Sequence, residues 1–417
     1  MAKAKIYAGL EIGTSKICVV VGEVDTDGSI KILGIGQAPS RGVRKGEIVD
    51  FETAQTCLHD ALVQAEEKTD VMISNVYLAI TGAHIESLCN RGSIRIPDGP
   101  GANEITEEDL DEVRDLARDV SLPAQNVFLH SIIRDYYVDG QEKVQQPVGM
   151  LGKVVEADYH IIHGIKTRMQ NTIRCVREIP ISVDEVVFSP IAAAQVMLSK
   201  EQKDRGALLI DIGGGTTDYV MYMGGSVAQS GCIAVGGDHI TNDISMVMKV
   251  PLTRAERLKI EHGSVMVQDE DQDEFIVLED DPHFSGVEID KIMLNRIINA
   301  RVSETLEQLR DRIIKDDDIA ALGAVFLTGG SSKLKEIDKL AEEIFSLPVS
   351  LASISSMSGA TAPFENPQLA TPMGLIRYAQ MIEANKTERT NAFKLFRKKL
   401  GGLFGGCLLY TSPSPRD

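Results

Sequence analysis

Short apolar runs rich in Val, Ile and Leu alternate along this chain with stretches in which apolar residues return every three or four positions. The first pattern predicts buried strands and the second amphipathic helices, so the chain reads as α/β. Residues 5–36 form three expected strands, the last of them SIKILGIGQ after the Asp27-Gly28 turn. Phe51–Lys68 has helical spacing through Ala54, Leu58, Ala61, Leu62 and Ala65, and Asn75–Ile80 reads as a buried strand. From about His84 to His163 the texture changes. A loop at 97–104 gives way to an acidic helix that opens at Ile105-Thr106-Glu107-Glu108 and stops before Pro123. Strands follow around VFLHSII and ADYHIIHG, so the block predicts an inserted α+β subdomain. Lys166–Val176 is a further helix, and ISVDEVVF a strand leading into SPIAAAQVMLS. The run Ala192-Ala193-Ala194 permits close backbone approach, which suits a helix crossing between two domains and an ordinary amphipathic helix nearly as well. Further on, Ile289–Ile314 carries a long amphipathic pattern, Gly323–Leu327 reads as a strand and SSKLKEIDKLAEEIF as a helix.

Glycine interrupts this pattern in two matching phrases. Leu208–Tyr222 (LLIDIGGGTTDYVMY) is an apolar run ending at Asp211, then Gly213-Gly214-Gly215, then Thr216, Thr217 and Asp218 before a second apolar run. Two strands about a Gly-rich turn predict a β-hairpin. Glycines there can take φ > 0 without steric cost, so successive N–H groups could converge on an anion as a nest. Asp211 beside that nest is placed to hold Mg²⁺ through water, since Mg²⁺ is usually bound by one or two carboxylates plus phosphate oxygens. A plain tight turn is the alternative, but it needs neither the preceding acid nor the following Thr-Thr-Asp. Ala8–Val21 (AGLEIGTSKICVVV) repeats the phrase with Glu11, Gly13, Thr14, Ser15 and Lys16, and Glu11 lies 200 residues before Asp211. Two phosphate hairpins so arranged predict a duplicated fold whose halves face each other across a nucleotide. Gly236-Gly237-Asp238 at a helix entry again offers N–H groups to phosphate, although a simple loop-to-helix junction fits the local sequence as well. Glu256 and Lys259 fall one turn apart on a helical face, ordinarily a solvated ion pair.

Composition narrows the partners. The chain has 417 residues, 43% of them hydrophobic, enough for more than one domain. A net charge of −18 opposes nucleic acid and anionic surfaces except where cations cluster. They cluster in one place. Past a short polar linker at 384–390, Asn391–Phe404 reads NAFKLFRKKLGGLF, with Phe393, Phe396, Leu400 and Leu403 at helical spacing and Lys394, Arg397, Lys398 and Lys399 among them. A docked core helix rarely carries four cations in six positions, so this segment reads as an interfacial helix for anionic lipid. Gly401 and Gly402 each weaken it by about 1 kcal/mol relative to Ala, so its end should order mainly on the membrane. Six cysteines show no CxxC spacing, so neither zinc nor a disulfide framework is expected and the thiols should be reduced, as in a cytoplasmic protein. His160 and His163 lie in a strand-like run, where an i, i+3 pair points to opposite faces and makes a poor metal pair. No signal peptide is recognisable, and no apolar run approaches the ~18 residues needed to span a bilayer.

The two hairpins, with AVFLTGGSSKL at Ala324–Leu334, resemble the actin/Hsp70/sugar-kinase ATPases. In that likeness the hairpins are the phosphate motifs and Thr328-Gly329-Gly330 is the adenosine motif. From about Lys5 to Phe404 the chain is more closely similar to the FtsA family of bacterial cell-division proteins, through GLEIGTSKI, PSRGVRKGEIVD, VYLAITGAHI, Val148–Gly152 and the amphipathic C-terminus. The resemblance implies an actin-like duplicated fold with two domains around a nucleotide cleft. Residues 5–83, 164–203 and 359–383 would form core domain 1A, and 84–163 the inserted subdomain 1C. Residues 204–234 and 301–358 would form core domain 2A, 235–300 an outer subdomain 2B, and 391–404 a membrane-targeting helix. ATP and Mg²⁺ would occupy the cleft, with Gly236 and Gly237 on phosphate and Glu256 and Lys259 against ribose and adenine. The same resemblance implies self-assembly into a filament and tethering of the tubulin-like protein FtsZ to the cytoplasmic face of the membrane at the septum. The acidic C-terminal peptide of FtsZ would bind near Arg296 and Arg301, and later division proteins would be recruited through 84–163. Hsp70- and MreB-like chains have Glu-Pro before the alanine run, whereas this one has Ser189-Pro190, so slow hydrolysis at most is expected. Residues 405–417 form a tail, of which 407–417 (CLLYTSPSPRD) fit neither the helix nor the family and are expected to be foreign to the natural protein. A small-molecule kinase would need a substrate pocket by the first hairpin, and an Hsp70 a further β-rich domain. A PilM-like pilus adaptor would lack the lipid helix.

Overall fold

The computed structural model describes residues 4–97, 104–268, 273–279, 286–314, 322–354, 357–359 and 366–384. The lipid helix expected at 391–404 and the tail at 405–417 lie outside these residues.

Strands β1 (Lys5–Ile12), β2 (Lys16–Val24) and β3 (Ile30–Pro39) form an antiparallel meander. A small hairpin of β4 (Val43–Arg44) and β5 (Glu47–Ile48) precedes α1 (Phe51–Thr69). Asp50 caps α1 by accepting Thr53 N–H at 3.2 Å, and the Ala54–Leu58–Ala61–Leu62–Ala65 stripe is buried. β6 (Asn75–Ile80) then runs parallel to β1. The chain next builds the insertion from β7 (Ile85–Arg95), α2 (Glu107–Ala117), β8 (Asn126–Val138), β9 (Gln141–Val144) and β10 (Val154–Ile165). Its sheet order is β7-β10-β8-β9. Thr106 and Asp109 form a capping box for α2, and the helix lies so close to β7 that a Cβ on Gly92 would sit 2.0 Å from Val113 O. The chain returns to the first sheet through α3 (Lys166–Arg177) and β11 (Ser182–Phe188).

After α4 (Ser189–Met197) and the short α5 (Lys200–Arg205), the first pattern repeats in β12 (Ala207–Ile212), β13 (Thr217–Met223) and β14 (Ser226–Ile233). An outer part follows: α6 (Gly237–Met248), α7 (Leu252–Glu261), the hairpin β15 (Phe275–Leu278) and β16 (Val287–Asp290), and α8 (Lys291–Ile314). The helix expected from Ile289 starts two residues later, because Ile289 and Asp290 complete β16 and the Asp290 carboxylate accepts Ile292 N–H at 2.9 Å. β17 (Ala324–Thr328), α9 (Ile337–Phe345) and β18 (Val349–Leu351) complete the second sheet, and β19 (Ser358–Gly359) and α10 (370–384) return to the first.

Duplication is visible in the topology. The first sheet contains the order β3-β2-β1-β6 and the second the order β14-β13-β12-β17, with the fourth strand parallel to the first in each. Glu11 stands opposite Ala79 in one register and Asp211 opposite Thr328 in the other. Leu208 and Ile210 pack under α6, α8 and α9, while Leu209 faces the opposite side. Covered on both faces, β12 shows a continuous apolar run instead of alternation.

Two helices join the halves. α4 buries eight of its nine residues. α10 crosses it at Gly374, where a Cβ would lie 2.0 Å from Ala192 O, and docks on the first sheet, where a Cβ on Gly9 would lie 2.3 Å from Pro372 O. The small-residue run therefore serves a close helix crossing between domains.

Candidate functional site

The turns of the β1–β2 and β12–β13 hairpins face each other at the floor of a cleft of about 670 Å³. The turns are nearly in contact: a Cβ on Gly214 would lie 3.0 Å from Ser15 Cβ, and one on Gly215 would lie 2.5 Å from Thr14 Oγ1 and 2.9 Å from Lys45 N. None of Gly13, Gly213, Gly214 and Gly215 has a positive φ. The left-handed conformation expected of these glycines is thus not adopted; Gly214 and Gly215 are small because two loops from different domains must meet, while a Cβ on Gly13 or Gly213 would press on the carbonyl of Lys16 or Thr216 in its own turn. Gly329 differs. Its φ is +90° and a Cβ there would lie 2.3 Å from Asp211 Oδ1, so both backbone and space require glycine.

Gly236-Gly237 also plays another part than expected. Gly237 N–H is donated to Gly213 O at 2.9 Å, Asp238 N–H to Gly214 O at 2.8 Å, and Gly236 N–H to His239 Nδ1 at 3.2 Å. These groups are spent on shaping the second hairpin turn and are not presented to an anion. Among the described residues the N–H groups of Gly214 and Gly215 have no intramolecular acceptor.

Most of the expected residues line the cleft: Glu11, Gly13, Thr14, Ser15, Lys16, Asp211, Gly213, Gly214, Gly215, Thr216, Gly237, Glu256, Lys259, Gly329 and Gly330. Thr217, Gly236 and Thr328 do not. Thr217 and Thr328 are fully buried, and their hydroxyls donate to Val235 O at 2.9 Å and Pro367 O at 3.1 Å. The Glu256–Lys259 pair is not a solvated one. Lys259 is buried, its Nζ 2.6 Å from Glu256 Oε2, and it donates to Thr241 Oγ1 at 2.8 Å and Gly237 O at 3.1 Å. It ties α7 to the glycine turn at the start of α6.

Three carboxylates gather on the floor. Asp211 is partly buried at the cleft floor; desolvation there, then the charges of Glu11 and Asp218, push its carboxyl up to about 8. Burial also raises Asp218 to about 6, against hydrogen bonds from Thr81, Cys232 and Thr216. Glu11 Oε2 is buried without a hydrogen-bond partner and faces Lys16 Nζ at 3.5 Å. Lys16 also donates to Gln368 O. Three carboxyls with one lysine among them make a site in which a bound cation would favour the ionised forms. Among the described residues no group of three or more His, Cys, Asp or Glu is placed to hold a metal directly. His160 and His163 find separate partners, Ser230 Oγ at 2.8 Å and Asn126 Nδ2 at 2.9 Å.

Thr81, Asp218 and Gln368 also line the cleft. Asp218 is legible as the last acid of the second glycine phrase, but Thr81 and Gln368 arrive from β6 and the α10 approach, and no local pattern marks them. On α8, Arg296 is exposed, whereas Arg301 is held 2.6 Å from both Asp243 and Glu304. The second of the two arginines expected to meet a partner is thus already engaged within the chain.

A duplicated α/β fold with two glycine hairpins facing across a cleft defines an actin-like protein. A family model for the cell division protein FtsA matches residues 208–374, and one for the SHS2 domain inserted in FtsA matches residues 82–163. The cell division protein FtsA of Neisseria meningitidis serogroup B is 34% identical over 397 residues, covering 94% of this chain and 95% of that protein. FtsA of Pseudomonas aeruginosa is 35% identical over 376 residues, covering 90% and 89%, and that of Escherichia coli K12 is 30% identical, covering 91% and 92%. The chain belongs to the FtsA family, and its role is in cell division. Two solved structures share its fold. A PilM–PilN type IV pilus biogenesis complex matches with a TM-score of 0.63 at 16% identity, covering 90% of this chain and 98% of that one. MreB5 of Spiroplasma citri bound to ADP matches with a TM-score of 0.55 at 15% identity, covering 92% and 98%.

Proposed function

We propose that this protein binds ATP in the cleft, assembles into actin-like filaments, and tethers FtsZ filaments to the cytoplasmic face of the membrane at the division septum. The meeting of the two glycine hairpins over Asp211, which faces the cleft from the end of β12, carries the reading. The space suits a nucleotide, since ligand pockets run from about 300 to 1,000 Å³. Gly214 and Gly215 have N–H groups for phosphate, and Lys16 supplies the adjacent cation. Asp211, with Glu11 beside it, would hold Mg²⁺ through its water shell, and the ion would neutralise phosphate charge. The structure of MreB5 with ADP shows a protein of this fold taking a nucleotide.

Hydrolysis is slow in this reading. Ser189 stands at the head of α4, is buried, and gives its hydroxyl to Ile80 O at 3.0 Å. A serine so engaged is a poor general base. Nucleotide acts chiefly as a switch for assembly.

The outer part would take the acidic C-terminal peptide of FtsZ, with Arg296 an exposed cation on α8, and the insertion would receive later division proteins. Residues 391–404 would supply the anchor. Four cations contribute about 1 kcal/mol each near an anionic leaflet, so one copy binds weakly and a filament binds by avidity. Among the described residues no helix is long and apolar enough to cross a membrane. Sedimentation of the full chain with anionic vesicles and FtsZ, with and without Mg·ATP, tests the whole reading. Deletion from Asn391, or Phe396→Glu with Leu400→Glu, should abolish pelleting with vesicles and leave ATP binding intact. A deleted chain that still pellets with vesicles would show that the anchor lies elsewhere.

A further inference from the structure

The insertion is covalently part of the first domain, since β7 follows β6 and β10 runs straight into α3. Its sheet nevertheless rests on the second domain. β14 is an edge strand, paired with β13 on one side only, and the outward polar groups of such an edge need a cover. Ser87 on β7 donates its hydroxyl to Ser230 O at 2.7 Å, and Cys89 Sγ lies 3.7 Å from Ala228 O. Donors and acceptors are each two residues apart on their strands, the spacing at which strand positions share a side. From β10, His160 Nε2 stands 2.8 Å from the Ser230 hydroxyl, and on β8 the Arg134 carbonyl accepts from Ser226 Oγ at 2.8 Å. Burial, then the charges of Arg134 and His130, push His160 down to about 3, so its ring is neutral.

The same subdomain is also fixed to the hinge. His130 on β8 is buried, and its Nε2 accepts Phe188 N–H at 3.0 Å, at the residue from which α4 starts. Tyr378 of α10 packs edge-on against the His130 ring, centroids 6.3 Å apart, and donates to Glu185 Oε1 at 2.8 Å. β14 in turn leads into the cleft. Cys232 pairs with Asp218 and Ile233 with Thr217, and the Gly236-Gly237 turn follows directly.

We propose that the seam between β7 and β14 couples the cleft to the insertion, so that nucleotide and a protein ligand of the insertion each bias the other's binding. The proposal rests on the nucleotide reading above. Any rotation of the second domain on the hinge must slide β14 past β7, because β7 moves with the first domain. What must give way is a row of hydrogen bonds between neutral side chains and backbone, whereas the hinge end is a packed core that moves as a unit. Coupling of this kind is reciprocal.

Hydrogen exchange on the full chain, without nucleotide and with Mg·ATP, tests it. In the wild type, nucleotide should alter exchange over 208–218 and also over 85–95 and 226–233. Ser87→Ala should keep the effect at 208–218, lose it at 85–95, and shift the Kd for ATP about fivefold, the low end of ordinary coupling. Ser87→Thr, which keeps the hydroxyl, should restore both. Nucleotide that alters 208–218 while 85–95 stays unchanged in the wild type overturns the coupling and leaves the nucleotide reading standing. A Ser87→Ala protein indistinguishable from wild type also overturns it. Failure of ATP to bind at all removes both.

Discussion

Replacing Asp211 with Asn should stabilise the nucleotide-free protein and remove its response to Mg·ATP. The carboxyl is partly buried on the cleft floor and keeps its proton up to about 8, against 3.8 for an ordinary aspartate. A carboxyl raised in this way supports the fold fully below its unfolded value, and that support is lost as pH rises through the folded value. The window is therefore from 3.8 to about 8. Within it the folded chain holds one proton more than the unfolded chain at this position, so stability falls by about 1.4 kcal/mol per pH unit. Between about pH 5.5 and about pH 7.5 the loss is at most about 2.7 kcal/mol, with water entry around a buried charge lowering it. Asn keeps the shape and an oxygen acceptor for Thr371, whose hydroxyl lies 3.3 Å from Asp211 Oδ2, and carries no charge. Thermal unfolding without nucleotide at both pH values is the assay. The variant should melt higher than wild type at the upper pH, by up to about 2 °C per kcal/mol in a chain of this size, and its melting should depend less on pH. Asp218, raised to about 6, leaves a smaller slope at lower pH in both proteins. Mg·ATP should then raise the melting temperature of wild type and not of the variant. If the variant melts no higher at the upper pH and shows an unchanged slope, Asp211 is not a carboxyl that the fold holds protonated until a cation arrives.

Gly215→Ala would put a Cβ 2.5 Å from Thr14 Oγ1 and 2.9 Å from Lys45 N. Overpacking of about 1–3 kcal/mol should force the two hairpins apart and weaken ATP binding by about tenfold or more in calorimetric titration. Lys259→Ala strips Glu256, Thr241 and Gly237 O of a shared cation; with Glu256 half exposed, urea unfolding should show a loss of about 1–2 kcal/mol, and ATP affinity should fall with it. Arg301→Glu breaks the contacts to Asp243 and Glu304 and should cost about 1 kcal/mol in melting experiments. Arg296→Glu should leave stability unchanged and weaken binding of the acidic FtsZ peptide in fluorescence anisotropy; unaltered affinity there would remove Arg296 from the partner surface.

The amino-acid order alone determined the two hairpins, the α/β alternation, the inserted block near 84–163 and a helix at Ala192-Ala193-Ala194, whose crossing between domains only the approach of Gly374 to Ala192 O decided. Each rests on a local signal: strand runs bounded by glycine, a 3.6-residue period, or a cap such as Thr106 on α2. A repeated phrase 200 residues on, at Glu11 and Asp211, was enough to imply duplication. Strands β7 and β14 carried no such signal. Their sequences, IESLCNRGSIR and SVAQSGCI, are broken by polar and small residues: Ser87, Cys89 and Ser230 meet across the two domains, while Gly92 admits α2 and Gly231 the Tyr219 ring. At the second hairpin turn the glycines answer to space and not to backbone conformation. Sequence shows that a position tolerates any φ, but only the meeting of two distant turns shows that Gly214 and Gly215 are small to admit Ser15, Thr14 and Lys45. Likewise Gly237 N–H looked available for phosphate until its acceptor, Gly213 O, was in place. Arg301 looked free until Asp243 was beside it, and Thr81 reached Asp218 only once the two sheets faced each other. Backbone period and turn chemistry act over a few residues and are written in their order; which hydrogen-bonding group is already spent depends on partners tens to hundreds of residues away, and only the closed fold brings those together.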